Sequence, residues 1–130
     1  MREQLITKDT IADPRTRYGA AKASTRHFMT QRVTGAINIV FLLLLLFVVV
    51  RLAGADRAGA VALIGTPWIG LPLALLIVNV AIHIRNGMRD VLEDYFAGST
   101  YTLLMTLTTL FSVVVGALGA LCVLKLVFWG

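Results

Sequence analysis

Residues 33–52 read VTGAINIVFLLLLLFVVVRL, and this stretch decides the fold. Its second part, from Phe41 to Val50, is apolar on every face of a helix, which suits contact with lipid better than one side of a soluble core. About 20 predominantly apolar residues are needed to cross the hydrocarbon core of a bilayer. Residues 33–52 are therefore predicted to be a transmembrane helix, and Arg51 can extend to the membrane interface.

Two later stretches, residues 68–84 and 102–128, have the same apolar character. Thr66-Pro67 supplies an N-cap followed by proline at the first helical position, which favours a helix start there. The chain is thus predicted to be an all-α integral membrane protein with three transmembrane helices.

The segments between the predicted spans are polar or rich in small residues. Residues 53–65 are predicted to be a loop, and residues 85–100 form a second polar segment in which Ser99 or Thr100 caps the third span. Together the 130 residues are expected to form a single membrane-anchor domain, in which residues 1–32 are an N-terminal tail.

The composition supports a bilayer environment. The chain is 58% hydrophobic and its mean hydropathy is +0.82, too apolar for an ordinary soluble domain of this length. Seven of the 12 basic residues precede the first span, so the positive-inside rule predicts that the tail is on the positive side of the membrane. In a bacterium that side is the cytoplasm, and the expected location is the bacterial inner membrane. The expected surroundings are membrane lipid, and no nucleic acid is expected as a partner because few stacking aromatics accompany these charges.

Three further observations limit the possibilities. Cys122 is the only cysteine and lies inside the third apolar stretch, so this chain alone can form neither a disulfide nor an iron–sulfur site. Residues 1–14 contain acidic residues and no apolar core, so we do not expect a cleavable signal peptide. No nucleophile and base pair or phosphate-binding loop is found, and the chain alone is expected to catalyse nothing.

A polar seam follows one face of the second span and its extension. Its residues are spaced by four, four, three and four positions, which places them on one side of a helix; they are Asn79, His83, Gly87, Asp90 and Asp94. An ionisable residue in a membrane helix is a functional candidate by default. His83 could be an axial haem ligand, beside a glycine that lets a flat ring approach, or an interfacial histidine bonded to a neighbour. Position alone favours neither interpretation, whereas His27 in the tail is expected to be solvated.

Three other sites are candidates. Arg32 is predicted to lie at the membrane level of His83, where it could bind anionic haem propionates or serve only as a positive-inside anchor. Asp94 and Tyr95 could orient and protonate a quinone, although an aromatic-belt tyrosine is the simpler interpretation. On the third span, Ser112, Gly116 and Ala120 form a row of small residues that predicts close helix packing.

The segment HIRNGMRDVLEDY at residues 83–95 resembles the signature of the small membrane anchor subunit of succinate dehydrogenase, and QRVTG at residues 31–35 resembles the start of that family's first span. The resemblance implies that His83 is an axial ligand of haem b and that Arg32 lies near the haem propionates. It also implies that Asp94 and Tyr95 border the ubiquinone site.

The same resemblance implies three partners: a second hydrophobic anchor subunit, an iron–sulfur subunit and a flavoprotein subunit. Electrons from succinate would pass through the iron–sulfur centres to quinone. A haem-free structural scaffold that docks soluble subunits of a respiratory complex is the alternative. A small transporter is less favoured, because polar residues are confined to one end of the spans.

Overall fold

A computed structural model describes residues 14–130, and this part of the chain contains four helices and no strand. The helices are α1 (Pro14–Leu52), α2 (Arg57–Gly65), α3 (Pro67–Tyr95) and α4 (Gly98–Trp129). Three segments are long and apolar enough to cross a membrane, namely Thr25–Leu52, Pro67–Tyr95 and Gly98–Trp129. The predicted all-α fold with three spans is confirmed. The prediction about a signal peptide mainly concerns residues 1–13, which lie outside the described residues.

Helix α1 is longer than the predicted first span. The sequence suggested a tail up to residue 32, yet the helix is continuous from Pro14 and has 39 residues, or about 58 Å of rise. Hydropathy marks only where a helix meets lipid, and it carries no information about where the backbone begins to be helical. Proline suits the first helical position, and no further proline interrupts α1.

The predicted loop at residues 53–65 is wrong, because α2 occupies most of it. Asp56 caps this helix, accepting a hydrogen bond from the backbone N–H of Gly59 at 2.8 Å. The apolar run from Ala60 to Ile64 then packs α2 against α3 and α4. The cap and these apolar residues outweigh the low helix propensity of the glycines.

The second polar segment, residues 85–100, is also mostly helical. Helix α3 continues to Tyr95, and only Phe96 and Ala97 separate it from α4. The predicted Ser99 or Thr100 cap is wrong, since Ala97 occupies the N-cap position and makes no side-chain cap bond. Gly98 adopts a φ of 63°, a left-handed conformation that glycine accepts at little cost, and this allows the tight reversal.

Helix α3 is central and packs on α1, α2 and α4. A small core of Leu73, Ala74, Leu76 and Val123 joins α3 to α4. Further along this contact, Ser112, Gly116 and Ala120 are all buried. A Cβ added to Gly116 would lie 2.8 Å from the Cβ of Ala81, so the predicted close approach of small residues is confirmed.

Candidate functional site

The polar seam of α3 faces α1, which supplies a matching row of polar residues. Along α3 from its middle to its C-terminal end, the contacts are Asn79 with Asn38, His83 with Thr34, Gly87 with Gln31, and Asp90 with His27. Because the two helices are antiparallel, residue numbers fall along α1 as they rise along α3. The predicted common face is confirmed for these four residues of α3.

His83 lies at the middle of this seam and is partly buried. Its Nδ1 lies 3.0 Å from the hydroxyl oxygen of Thr34. Gly35, the next residue of α1, leaves room for the ring, since a Cβ added there would lie 3.3 Å from Cε1 of His83. The imidazole is therefore held between α1 and α3 by one hydrogen bond and one close packing contact.

The residues present fit a haem iron. Nδ1 of His83 is occupied by Thr34, whereas Nε2 has no hydrogen-bond partner among the described side chains and is the atom free to bind a metal. The glycine one turn on, Gly87, faces Gln31, whose Oε1 is buried without a partner. No group of three His, Cys, Asp or Glu residues in the described range could hold a bare metal ion. A haem iron, which its porphyrin already binds, needs only axial ligands.

Arg32 lies on a different face of α1. It is two residues from Thr34, which is a rotation of about 200° around the helix axis. Its guanidinium lies 4.5 Å from the ring centroid of Phe28, and both side chains are exposed. The structure therefore brings Arg32 to the membrane level of Thr34 and His83 but shows no contact with His83 among the described residues. Arg32 remains accessible to a ligand or a neighbouring subunit.

Asp94 and Tyr95 form the last turn of α3 and are exposed, with 78% of Tyr95 accessible. Neither side chain is hydrogen-bonded to another described residue. Tyr95 is 12 residues beyond His83, a rise of about 18 Å along the same helix. The two positions are therefore well separated, His83 between two helices and Tyr95 at the protein surface.

A neighbouring group keeps the last turns of α3 in contact with α4. Glu93 accepts hydrogen bonds from Nε of Arg89 at 2.7 Å and from the hydroxyl of Tyr101 at 3.3 Å. One turn deeper, Arg85 donates from Nε to the hydroxyl of Thr109 at 3.1 Å. These contacts lie on the side of α3 that faces α4, whereas the polar seam lies on the side that faces α1.

Sequence reasoning missed the pairing of the two helices. The expectation that His27 is solvated is wrong, because its Nε2 lies 2.5 Å from a carboxylate oxygen of Asp90 and its side chain is only 18% exposed. Thr34 and Asn38 follow His27 and Gln31 on α1 in steps of four, three and four, which places all four residues on one helical face. A second polar face of this kind is the signal that could have predicted the contacts with α3.

The fold and the site define a class, that of multi-pass membrane proteins whose lipid-facing bundle contains a histidine-bearing polar seam at one end. Residues 7–123 match the family described as Succinate dehydrogenase/Fumarate reductase transmembrane subunit. The chain belongs to this family, as the motif at residues 83–95 predicts.

A curated relative agrees with this assignment. The Succinate dehydrogenase hydrophobic membrane anchor subunit of Paracoccus denitrificans is 30% identical over 82 residues, which is 63% of this chain. The matched region spans 64% of the length of that relative. No solved structure gives a significant match.

Proposed function

We propose that this chain is the small hydrophobic anchor subunit of a bacterial succinate dehydrogenase. Together with a second hydrophobic anchor subunit, it holds a flavoprotein subunit and an iron–sulfur subunit at the inner membrane. Its N-terminus lies in the cytoplasm, which the basic residues before the first span support. Membership of the transmembrane-subunit family supports the anchoring role.

One observation carries the cofactor part of the proposal. His83 lies in a membrane helix with its Nδ1 bonded to Thr34 and its Nε2 unpaired among the described residues, as an axial ligand of haem b would be. When bound, haem b supplies a one-electron redox centre. His83 would bind the iron, and the exposed guanidinium of Arg32 would bind a propionate that reaches that face of α1.

The exposed end of α3 is the proposed border of the ubiquinone site. The phenol of Tyr95 would donate a hydrogen bond to a quinone carbonyl oxygen, and this bond strengthens as negative charge develops there during reduction. Asp94 would orient the phenol or hold the proton that the reduced quinone takes up. Both side chains are exposed and have no hydrogen-bond partner among the described residues, so they are available to a substrate.

A haem-free scaffold is the second candidate, since the bond between His83 and Thr34 could also be purely structural. Both candidates dock soluble subunits, and they differ in the cofactor. The deciding experiment is to purify the complex from its own membrane through a tag on this chain, identify the associated chains by mass spectrometry, and record a reduced-minus-oxidised spectrum. We expect flavoprotein, iron–sulfur and second anchor subunits together with a haem b band. The same chains without the band would favour the scaffold.

A further inference from the structure

We propose that Thr34 is a positioning residue for His83, because its hydroxyl selects the imidazole tautomer that presents Nε2 as a metal ligand. This inference rests on the proposed haem-binding function. It assigns a role to a residue on a different helix from the histidine.

The surroundings of the Thr34 hydroxyl decide which atom donates. Its oxygen lies 2.8 Å from the backbone oxygen of Thr30, 3.1 Å from that of Gln31, and 3.0 Å from Nδ1 of His83. The two carbonyl oxygens can only accept, and the hydroxyl has one proton. The shortest of the three distances is that to the Thr30 oxygen, and two oxygen atoms this close need the proton between them. The hydroxyl therefore donates to Thr30, and Nδ1 of His83 carries its own hydrogen and donates to Thr34. The lone pair of the neutral ring is then on Nε2.

Thr34 is also held firmly in place. It is only 7% exposed, and its backbone oxygen accepts a hydrogen bond from the side-chain amide of Asn79 at 2.9 Å. Asn79 is one turn before His83 on α3, so two successive turns of α3 are bonded to one residue of α1. Gly35, the residue next to Thr34 on α1, also packs closely against the imidazole ring of His83 and limits its movement. The acceptor for Nδ1–H therefore has a defined position in the folded protein.

The bond has a chemical consequence for the iron. A ligating imidazole that donates its other N–H is a more basic ligand, and a more basic ligand favours the oxidised iron. Removal of the acceptor should therefore raise the midpoint potential of the haem. Loss of such outer contacts typically costs 10- to 100-fold in metal affinity or activity. A tenfold change in the redox equilibrium corresponds to about 59 mV for one electron.

The test compares Thr34→Val, which keeps the shape and loses the hydroxyl, with Thr34→Ser, which keeps the hydroxyl. Thr106→Val is the matched control, since the exposed hydroxyl of Thr106 on α4 also donates to a backbone carbonyl one turn earlier and lies outside the seam. The purified complexes are compared by haem per flavin and by redox titration of the haem. We expect a lower haem content and a midpoint raised by about 59 mV in Thr34→Val alone. Thr34→Ser and Thr106→Val should both match the wild type.

Each other outcome has a distinct meaning. A wild-type haem band with the same midpoint and content in Thr34→Val would overturn this inference and leave the proposed function intact. A midpoint shift of equal size in Thr34→Ser would also overturn it, because packing rather than the hydroxyl would be responsible. A wild-type complex without haem would overturn both this inference and the proposed haem-binding function. If Thr34→Val does not assemble, Thr34→Cys replaces it, since a thiol is only a weak acceptor.

Discussion

The side-chain amide of Asn79 on α3 donates to Oδ1 of Asn38 on α1 at 2.6 Å, and it also donates to the backbone oxygen of Thr34 at 2.9 Å. A polar amide inside an apolar bundle destabilises the fold unless it is hydrogen-bonded. Here the requirement is met by two acceptors on one neighbouring helix. A shift of α1 along α3 by one turn would break both hydrogen bonds, so this contact sets the register of the seam.

We expect Asn79→Leu to destabilise the complex, because Asn38 and the Thr34 carbonyl lose their shared donor. Interhelical hydrogen bonds in membranes contribute about 0.6 to 2 kcal/mol each, which predicts a lower melting temperature for the purified complex. Val78→Leu is the control, since Val78 is the residue before Asn79 on α3 and is 43% exposed. Equal melting temperatures for the two variants would contradict a role of Asn79 in register.

His83→Ala should remove or strongly weaken the haem, since it removes the proposed axial ligand, and it should lower the yield of assembled complex because cofactor binding and folding are coupled. The reduced-minus-oxidised spectrum and the haem-to-flavin ratio measure this. His27→Ala is the control, because His27 pairs with Asp90 at the far end of the same seam. Unchanged haem in His83→Ala would mean that another residue is the ligand.

Arg32→Gln should lower the midpoint potential of the haem more than it affects assembly. Removing a nearby cation leaves propionate charge less compensated, which disfavours the more negative, reduced state. Arg51→Gln is a matched control, since Arg51 also lies over a phenylalanine ring, that of Phe47, but at the C-terminal end of α1, on the far side of the apolar run. If the haem midpoint potential is unchanged in both variants, Arg32 serves only as a topological anchor.

Tyr95→Phe should reduce succinate–quinone reductase activity by about tenfold or more, as expected for the loss of a hydrogen bond worth ~1.5–3 kcal/mol to a developing charge. Succinate oxidation by a water-soluble dye should remain near normal, because that reaction needs only the soluble subunits. Tyr101→Phe is the control, since the Tyr101 hydroxyl is bonded to Glu93. If the quinone and dye activities fall together, Tyr95 is needed for assembly of the complex and not for quinone reduction.

Gly70→Ala should destabilise the corner between α2 and α3. The added Cβ would lie 2.4 Å from the backbone oxygen of Ile64 and would also overlap Val127, so the helices must separate. Overpacking of this kind costs about 1–3 kcal/mol. Gly54→Ala meets no atom within 4 Å and should leave the melting temperature unchanged or slightly raised. Identical melting curves would show that the corner adapts without cost.

The spans and the polar face of α3 could be predicted because hydropathy and helical spacing are local properties of the sequence. The partner of that face could not be predicted with equal ease. Thr34 and Asn38 lie more than 40 positions before the residues they contact, and only the antiparallel packing of α1 on α3 brings them together. His27 was misjudged for the same reason, since a tail histidine gains a partner only when α1 extends past the apolar run.

The limits of the helices were the least predictable feature. Helix α2 depends on the cap from Asp56 and on packing, and the extension of α3 to Tyr95 depends on contacts of Arg89 and Tyr101 with Glu93. Polar composition is compatible with both a loop and an exposed helix end, so it cannot decide between them. The candidate residues themselves were found from the sequence, whereas the placement of Arg32 away from the seam required the packed structure.

The continuity of α3 has a mechanical consequence. His83 and Tyr95 belong to one unbroken helix, so their separation of about 18 Å is set by the helical rise and not by the folding of a loop. A force applied to the exposed end of α3 would tilt or translate both residues together as parts of a stiff rod. Any displacement of a neighbouring subunit that moves Tyr95 would therefore also move the imidazole of His83, because the helix has no break between the two residues.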